Sequence, residues 1–88
     1  MHIFVYIIFS MGTVFRIKNK YSVKIIPGDH RPPHVHIVGG GGEAKFTIEN
    51  LKCYYVRGFS KRQVDLFREF LSDKLDLLME AWNEINEE

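Results

Sequence analysis

Apolar and polar residues alternate with a period of two through much of the chain up to residue 48, and beyond Ser60 the apolar ones recur every three or four residues. The first period predicts strands. Thr13 to Ile17 and Tyr21 to Ile26 are β-branched, aromatic or alternating, with Lys18-Asn19-Lys20 as the turn between them, which is a hairpin. Pro27-Gly28-Asp29 ends the second strand, and Pro32-Pro33 keeps the backbone extended, so residues 27–33 are a loop. A second hairpin joins His34–Val38 to Glu43–Ile48 across Gly39 to Gly42. With an even-numbered loop, 36 pairs with 45, 35 with 46 and 34 with 47. Val35, Ile37, Ala44, Phe46 and Ile48 then share one face, and His34, His36, Glu43, Lys45 and Thr47 the other.

The segment from Asn50 to Phe59 has no clear period and is left unassigned. Ser60 supplies an N-cap and Gln63 completes a capping box. Val64, Phe67, Leu71, Leu75, Leu78, Trp82 and Ile85 then form a helical apolar stripe, in which Trp82 acts as an anchor and Ser72-Asp73 offers a point where a second helix can restart. Each large side chain of such a stripe contributes about 1.5–3 kcal/mol when fully buried. The expected fold class is α+β: antiparallel β-hairpins forming a small sheet packed against a long C-terminal amphipathic helix.

Eighty-eight residues with 45% hydrophobic and 26% charged side chains make one ordinary globular core. The expected division is an N-terminal extension at residues 1–10, either an extra strand or the product of an upstream start before Met11, followed by one α+β domain at 11–88. MHIFVYIIFS is too short to span a bilayer and lacks the basic and small flanking residues of a secretory signal. Charge divides the chain: residues 1–59 carry eight Lys/Arg and three Asp/Glu, for +5, and residues 60–88 carry four and eight, for −4. A basic sheet half suits an anionic partner such as RNA, and equally a solvated acidic helix packed on a mildly basic sheet. Cys53 is the single cysteine, which excludes an intrachain disulfide and a cysteine-pair zinc site. It lies in an apolar run as a small buried hydrophobe, and a cytoplasmic location is expected.

The chemistry concentrates in His30-Arg-Pro-Pro-His34-Val-His36. On a strand, His34 and His36 point the same way with Cα atoms about 6–7 Å apart. Two imidazoles can therefore converge on one point, with His30 reaching it across the proline-stiffened loop and Asp29 or Glu43 completing a four-coordinate shell. The expected metal set is His30, His34, His36 and Glu43 around a divalent ion. Without a metal, His34 and His36 can do acid–base work while Lys45, Arg31 or Arg57 neutralises a phosphate. The plainest alternative is a polar cluster that merely holds a loop. Gly39 to Gly42 joins two strands and has no helix behind it, so it is not a phosphate-binding loop of the nucleotide type; it suits a tight or mobile hairpin tip. Tyr54, Tyr55, Arg57 and Phe59 can stack bases, but are more simply divided between core and rim.

Met11-Gly-Thr-Val-Phe-Arg-Ile17, Asp29-His-Arg-Pro-Pro-His-Val-His36, Gly40-Gly-Gly-Glu-Ala-Lys-Phe46, Arg57-Gly-Phe-Ser60 and Glu80-Ala-Trp-Asn-Glu84 occur in that order. Together they resemble the small prokaryotic domain of unknown function family 4160, over residues 11 to about 86. The resemblance leaves residues 1–10 outside and favours Met11 as the ancestral start. That family has no established activity. Its members often stand beside a second small protein in an arrangement similar to toxin–antitoxin operons, with this member in the toxin-like role. The resemblance therefore implies a binding module with a cognate small protein encoded nearby as partner, and points to His30, His34, His36, Glu43, Lys45 and Arg57 as the residues that matter. The competing expectation is a small ribonuclease-like hydrolase, with or without a divalent metal, using His34 and His36 with Lys45 or Arg57.

Overall fold

The computed structural model describes residues 12–87; the strand or alternative start expected at residues 1–10 lies outside the described residues. Strands β1 (Thr13–Ile17), β2 (Tyr21–Lys24), β3 (His34–Gly39), β4 (Gly42–Thr47) and β5 (Cys53–Arg57) form one antiparallel sheet in chain order. The β1–β2 connection turns at Lys18 and Asn19, whose φ angles are 54° and 56°, and the Lys20 N–H donates to the Ile17 carbonyl at 2.9 Å. Two successive left-handed residues match the right-handed twist of a hairpin.

The β3–β4 hairpin pairs His34 with Thr47, Val35 with Phe46 and His36 with Lys45, as the alternation predicts. Gly39 faces Gly42, so the four glycines make a tight two-residue turn at Gly40-Gly41. Residues 50–59, unassigned from the sequence, contain β5, and its pairing with β4 carries a bulge. Lys45 faces Tyr55 and Phe46 faces Cys53, which leaves Tyr54 as the extra residue. Cys53 is half-buried at the margin of the core, its thiol donating to the Tyr55 carbonyl at 3.4 Å.

Val35, Ile37, Ala44, Phe46 and Ile48 are each at most 1% exposed, and Val23 and Ile25 extend the same apolar layer across β2. Helix α1 (Lys61–Ser72) covers it. Ser60 and Gln63 form the expected capping box, with the Gln63 N–H on Ser60 Oγ at 3.1 Å and the Ser60 N–H on Gln63 Oε1 at 2.8 Å. Val64, Phe67 and Leu71 are the buried face, with the Phe67 ring 5.0 Å from Tyr21 and the Phe70 ring 6.2 Å from Phe15.

The single long helix expected from the periodicity is corrected by the structure: α1 stops at Ser72 and a shorter helix, α2 (Leu75–Trp82), follows. The break has local causes. Ser72 Oγ donates back to the Glu69 carbonyl at 2.8 Å, the Lys74 N–H closes on Leu71 O at 2.9 Å, and the Lys74 ammonium folds over the Phe70 ring at 3.9 Å. These contacts satisfy the terminal carbonyls of α1 and let Asp73 and Lys74 leave the helical path, with ψ near 15° and 17°. Turning there brings Leu78, Ala81 and Trp82 into the core, all 0% exposed, while Leu75 packs at its edge. A wider π-type turn, Asn83–Glu87, ends the described chain. Among the described residues no helix is long and apolar enough to cross a membrane.

Candidate functional site

His34 and His36 occupy alternate positions of β3, so both stand on the face away from α1. The loop of residues 27–33 delivers the third member. Its Asp29 N–H donates to the Ile26 carbonyl at 3.2 Å, the Gly28 N–H donates to Asn86 Oδ1 at 2.6 Å, and the Ile48 N–H holds Pro33 O at 3.0 Å. Tied at both ends, the loop sets the Asp29 carboxylate against the two rings. Asp29 Oδ2 lies 2.8 Å from His34 Nε2 and 3.0 Å from His36 Nε2.

Each ring is oriented from its other nitrogen. His34 Nδ1 is 2.7 Å from the Pro32 carbonyl, and His36 Nδ1 is 3.2 Å from Glu43 Oε2. The Pro32 carbonyl can only accept, so His34 Nδ1 donates to it, while His36 lies between two carboxylates that both accept. Arg57 stands behind Glu43, with guanidinium nitrogens 3.7 Å from Glu43 Oε1 and 3.2 Å from the Gly41 carbonyl. A continuous polar relay runs Pro32, His34, Asp29, His36, Glu43, Arg57.

Burial alone would push the Asp29 carboxyl up. It is outweighed by hydrogen bonds from His36 and from the His30 N–H and by the charge and hydrogen bond of His34, which together hold the group down at about 2. Its negative charge is felt by Tyr54, whose hydroxyl is pushed up by burial and by Asp29. Tyr54 comes within reach because it is the bulged residue of β5; its ring is 6.0 Å from that of His34. On the far side the His34 ring lies 5.5 Å from Trp82, and the histidine side chain is 2% exposed against 14% for His36. Solvent reaches the cluster through His36 and Asp29.

The structure thus brings together Asp29, His34, His36, Glu43 and Arg57 from the candidates in the sequence. His30 sits at the edge of the cluster, its ring 5.2 Å from that of His34, without joining the three ligand-type atoms that converge. Its side chain is 77% exposed, its Nδ1 donates to the Arg31 carbonyl at 3.0 Å, and its Nε2 is 3.8 Å from Asp29 Oδ1. Lys45 faces His36 across the β3–β4 ladder with its ammonium 4.8 Å from the centre of the Tyr55 ring. Lys24 faces His36 from β2. The row Lys24, His36, Lys45, Tyr55 therefore crosses four strands on one face, at about 4.8 Å per strand. Sequence reasoning had no role for Lys24 and none specific to Tyr54. The first depends on how the two hairpins pair across a seven-residue loop, the second on a bulge, and neither has a sequence signature.

Comparison with family models places residues 21–83 in a match to the domain of unknown function DUF4160. The chain belongs to the DUF4160 family. No match was found among curated proteins or among solved structures. The DUF4160 match spans β2 to the start of the final turn and includes every residue of the relay. Two imidazoles and a carboxylate on one accessible patch, flanked by two lysines, can shuttle a proton, hold a cation or bind a phosphate.

Proposed function

We propose that this DUF4160 protein is a small hydrolase of phosphodiesters, acting on RNA, with Asp29, His34 and His36 as its centre. The observation that carries the reading is the position of His36, which the sheet register sets between Lys24 and Lys45 while its ring is fixed by Asp29 and Glu43. An imidazole held by two carboxylates is oriented for proton transfer, and the lysines on either side offer positive charge to the phosphate it serves. Tyr55, with Lys45 over its ring, offers an aromatic surface at the end of the same row for an unpaired base. His34, shielded from solvent by Trp82 and Tyr54, positions Asp29 instead of meeting substrate.

The test is cleavage of mixed-sequence single-stranded RNA by full-length protein, with product ends identified. His36→Ala is expected to lower the rate by about 10²–10⁴, and Lys45→Ala by a smaller factor, with the domain still folded. Wild-type protein that leaves RNA intact under all metal and pH conditions, or a His36→Ala variant as active as wild type, refutes the reading.

A second reading, a binding module of a two-gene toxin–antitoxin-like system with a cognate small protein as partner, is favoured by a different feature. Among the described residues strand β5 pairs only with β4, and Tyr54, Tyr55 and Val56 are 44%, 39% and 46% exposed on it. Such a strand can be extended by a strand from a partner. Co-expression with the neighbouring gene is expected to yield a complex that survives purification. Recovery of the free chain alone would exclude this reading.

A further inference from the structure

The geometry points to a divalent transition-metal site, zinc first, formed by His34 Nε2, His36 Nε2 and Asp29 Oδ2, with one coordination position left for water or substrate. This rests on the same centre as the hydrolase reading and would change one role in it: with an ion bound, His36 would be a ligand, and the proton transfer assigned to it would fall to water on the ion. Among the described residues these three present one ligand atom each, all within 4.8 Å of one another.

The case begins with the two Nδ1 atoms. Each ring has an acceptor for its Nδ1 hydrogen on the side away from Asp29, the Pro32 carbonyl for His34 and the Glu43 carboxylate for His36. Both Nε2 atoms aim at Asp29 Oδ2, to which they donate when no ion is bound; an ion there would take the place of those two hydrogens, each Nε2 offering it a lone pair. A backbone carbonyl behind one histidine and a carboxylate behind the other is the support that ligating histidines ordinarily have, since it fixes the ring and raises its basicity. Arg57 in turn holds Glu43.

Distance agrees with this assignment. Ligand bonds of about 2.0–2.1 Å in a tetrahedral shell separate neighbouring donor atoms by roughly 3.3 Å. The Asp29 oxygen stands at 2.8 and 3.0 Å from the two nitrogens, so a small outward movement of one side chain opens the space. That side chain belongs to a loop, whereas both histidines are fixed on a central strand. Two nitrogens and one oxygen suit zinc with an open fourth position, and also ferrous iron or manganese in a two-histidine, one-carboxylate arrangement; magnesium prefers oxygen alone. The open side is that of His36 and Asp29, because His34 is covered by Trp82 and Tyr54.

The assignment separates four residues that sequence alone leaves as equal candidates. His36 and Asp29 are ligands, Glu43 positions a ligand, and His30 is neither. Untagged full-length protein, stripped with chelator and dialysed, is titrated with Zn²⁺ by calorimetry, with Mg²⁺ as control. One Zn²⁺ per chain is expected. His36→Gln and Asp29→Asn weaken it by at least about a hundredfold, Glu43→Gln by about 10–100-fold, and His30→Ala leaves it within about twofold of wild type. Circular dichroism confirms that each variant is folded. Co²⁺ loaded into wild-type protein supplies a readout that needs no variant: ligand-field bands of a four- or five-coordinate ion are expected in the visible. Absence of stoichiometric Zn²⁺, a six-coordinate aqueous-type Co²⁺ spectrum, or loss of affinity in His30→Ala equal to that in His36→Gln overturns the site. RNA is absent from all these measurements. Failure here leaves a metal-free hydrolase standing, and metal binding without RNA cleavage removes the hydrolase but keeps the site.

Discussion

Trp82→Ala is expected to lower the free energy of unfolding by about 3–5 kcal/mol, a large part of the roughly 5–15 kcal/mol that holds a typical domain together. Trp82 ends α2, is 0% exposed, and is the largest of the fully buried side chains. Removing the indole opens a cavity between α2 and the lower end of β3, where the α1–α2 turn has brought the helix against the sheet. The His34 ring lies 5.5 Å from the indole, so the same change exposes one flank of that histidine. Urea unfolding measures the loss, and Leu66→Ala is the control, since Leu66 is 50% exposed and its truncation should cost within about 0.5 kcal/mol. A loss below about 1 kcal/mol for Trp82→Ala would mean that the C-terminal helix does not anchor the fold. Trp82→Phe should retain much of the stability, because an aromatic ring still fills most of the space.

The value of Trp82 was legible before any coordinates, as was the β3–β4 register. Both rest on short-range rules: a period of three or four for the helix, a period of two for the strands, and a loop that keeps both strands in phase. The capping box at Ser60 and Gln63 is legible for the same reason. Where the outcome depended on which of two competing side-chain arrangements won, the period alone did not decide it. The stripe from Val64 to Ile85 reads as one long helix because Leu71, Leu75 and Leu78 keep the helical spacing, with Ser72-Asp73 as a point where a second helix can restart. The chain breaks at Asp73 and Lys74 because Lys74 is drawn back onto Phe70 and because Trp82 gains burial by the turn.

The site shows the same division. That His34 and His36 share a face follows from their spacing alone, and Glu43 and Lys45 follow from the register. Which carboxylate sits between the two rings does not. Asp29 and His30 are adjacent in a loop, and either can reach the strand; the loop's ties to Ile26, Asn86 and Ile48 turn Asp29 inward and leave His30 in solvent. One of those ties comes from a residue 58 positions away. Proximity of this kind has no local signal, so His30, His34 and His36 read as a set give the right neighbourhood without saying that Asp29, and not His30, stands between the two rings.

Gly42→Ala carries the second large expected effect, a loss of about 1–3 kcal/mol, although the sequence presents Gly42 as one of four glycines in a flexible tip. A methyl group built at this position would stand 2.6–2.8 Å from three carbons of the Phe59 ring. That ring is held edge-on against Tyr21 at 5.7 Å and Phe67 at 4.9 Å, so moving it away from the new methyl disturbs both contacts. Gly41→Ala is the contrast, since its φ is +85° but nothing lies within 4 Å of the added carbon, so only backbone strain of about 1 kcal/mol is expected. A double-mutant cycle with Phe59→Ala separates overlap from strain. If overlap is the cause, Gly42→Ala costs at least about 0.5 kcal/mol less when the ring is gone; equal cost in both backgrounds would refute it. The result bears on function because Gly42 begins β4. An overlap relieved by shifting the hairpin moves Glu43 from His36 and Arg57 from Gly41, so in Gly42→Ala the support behind His36 weakens together with the fold.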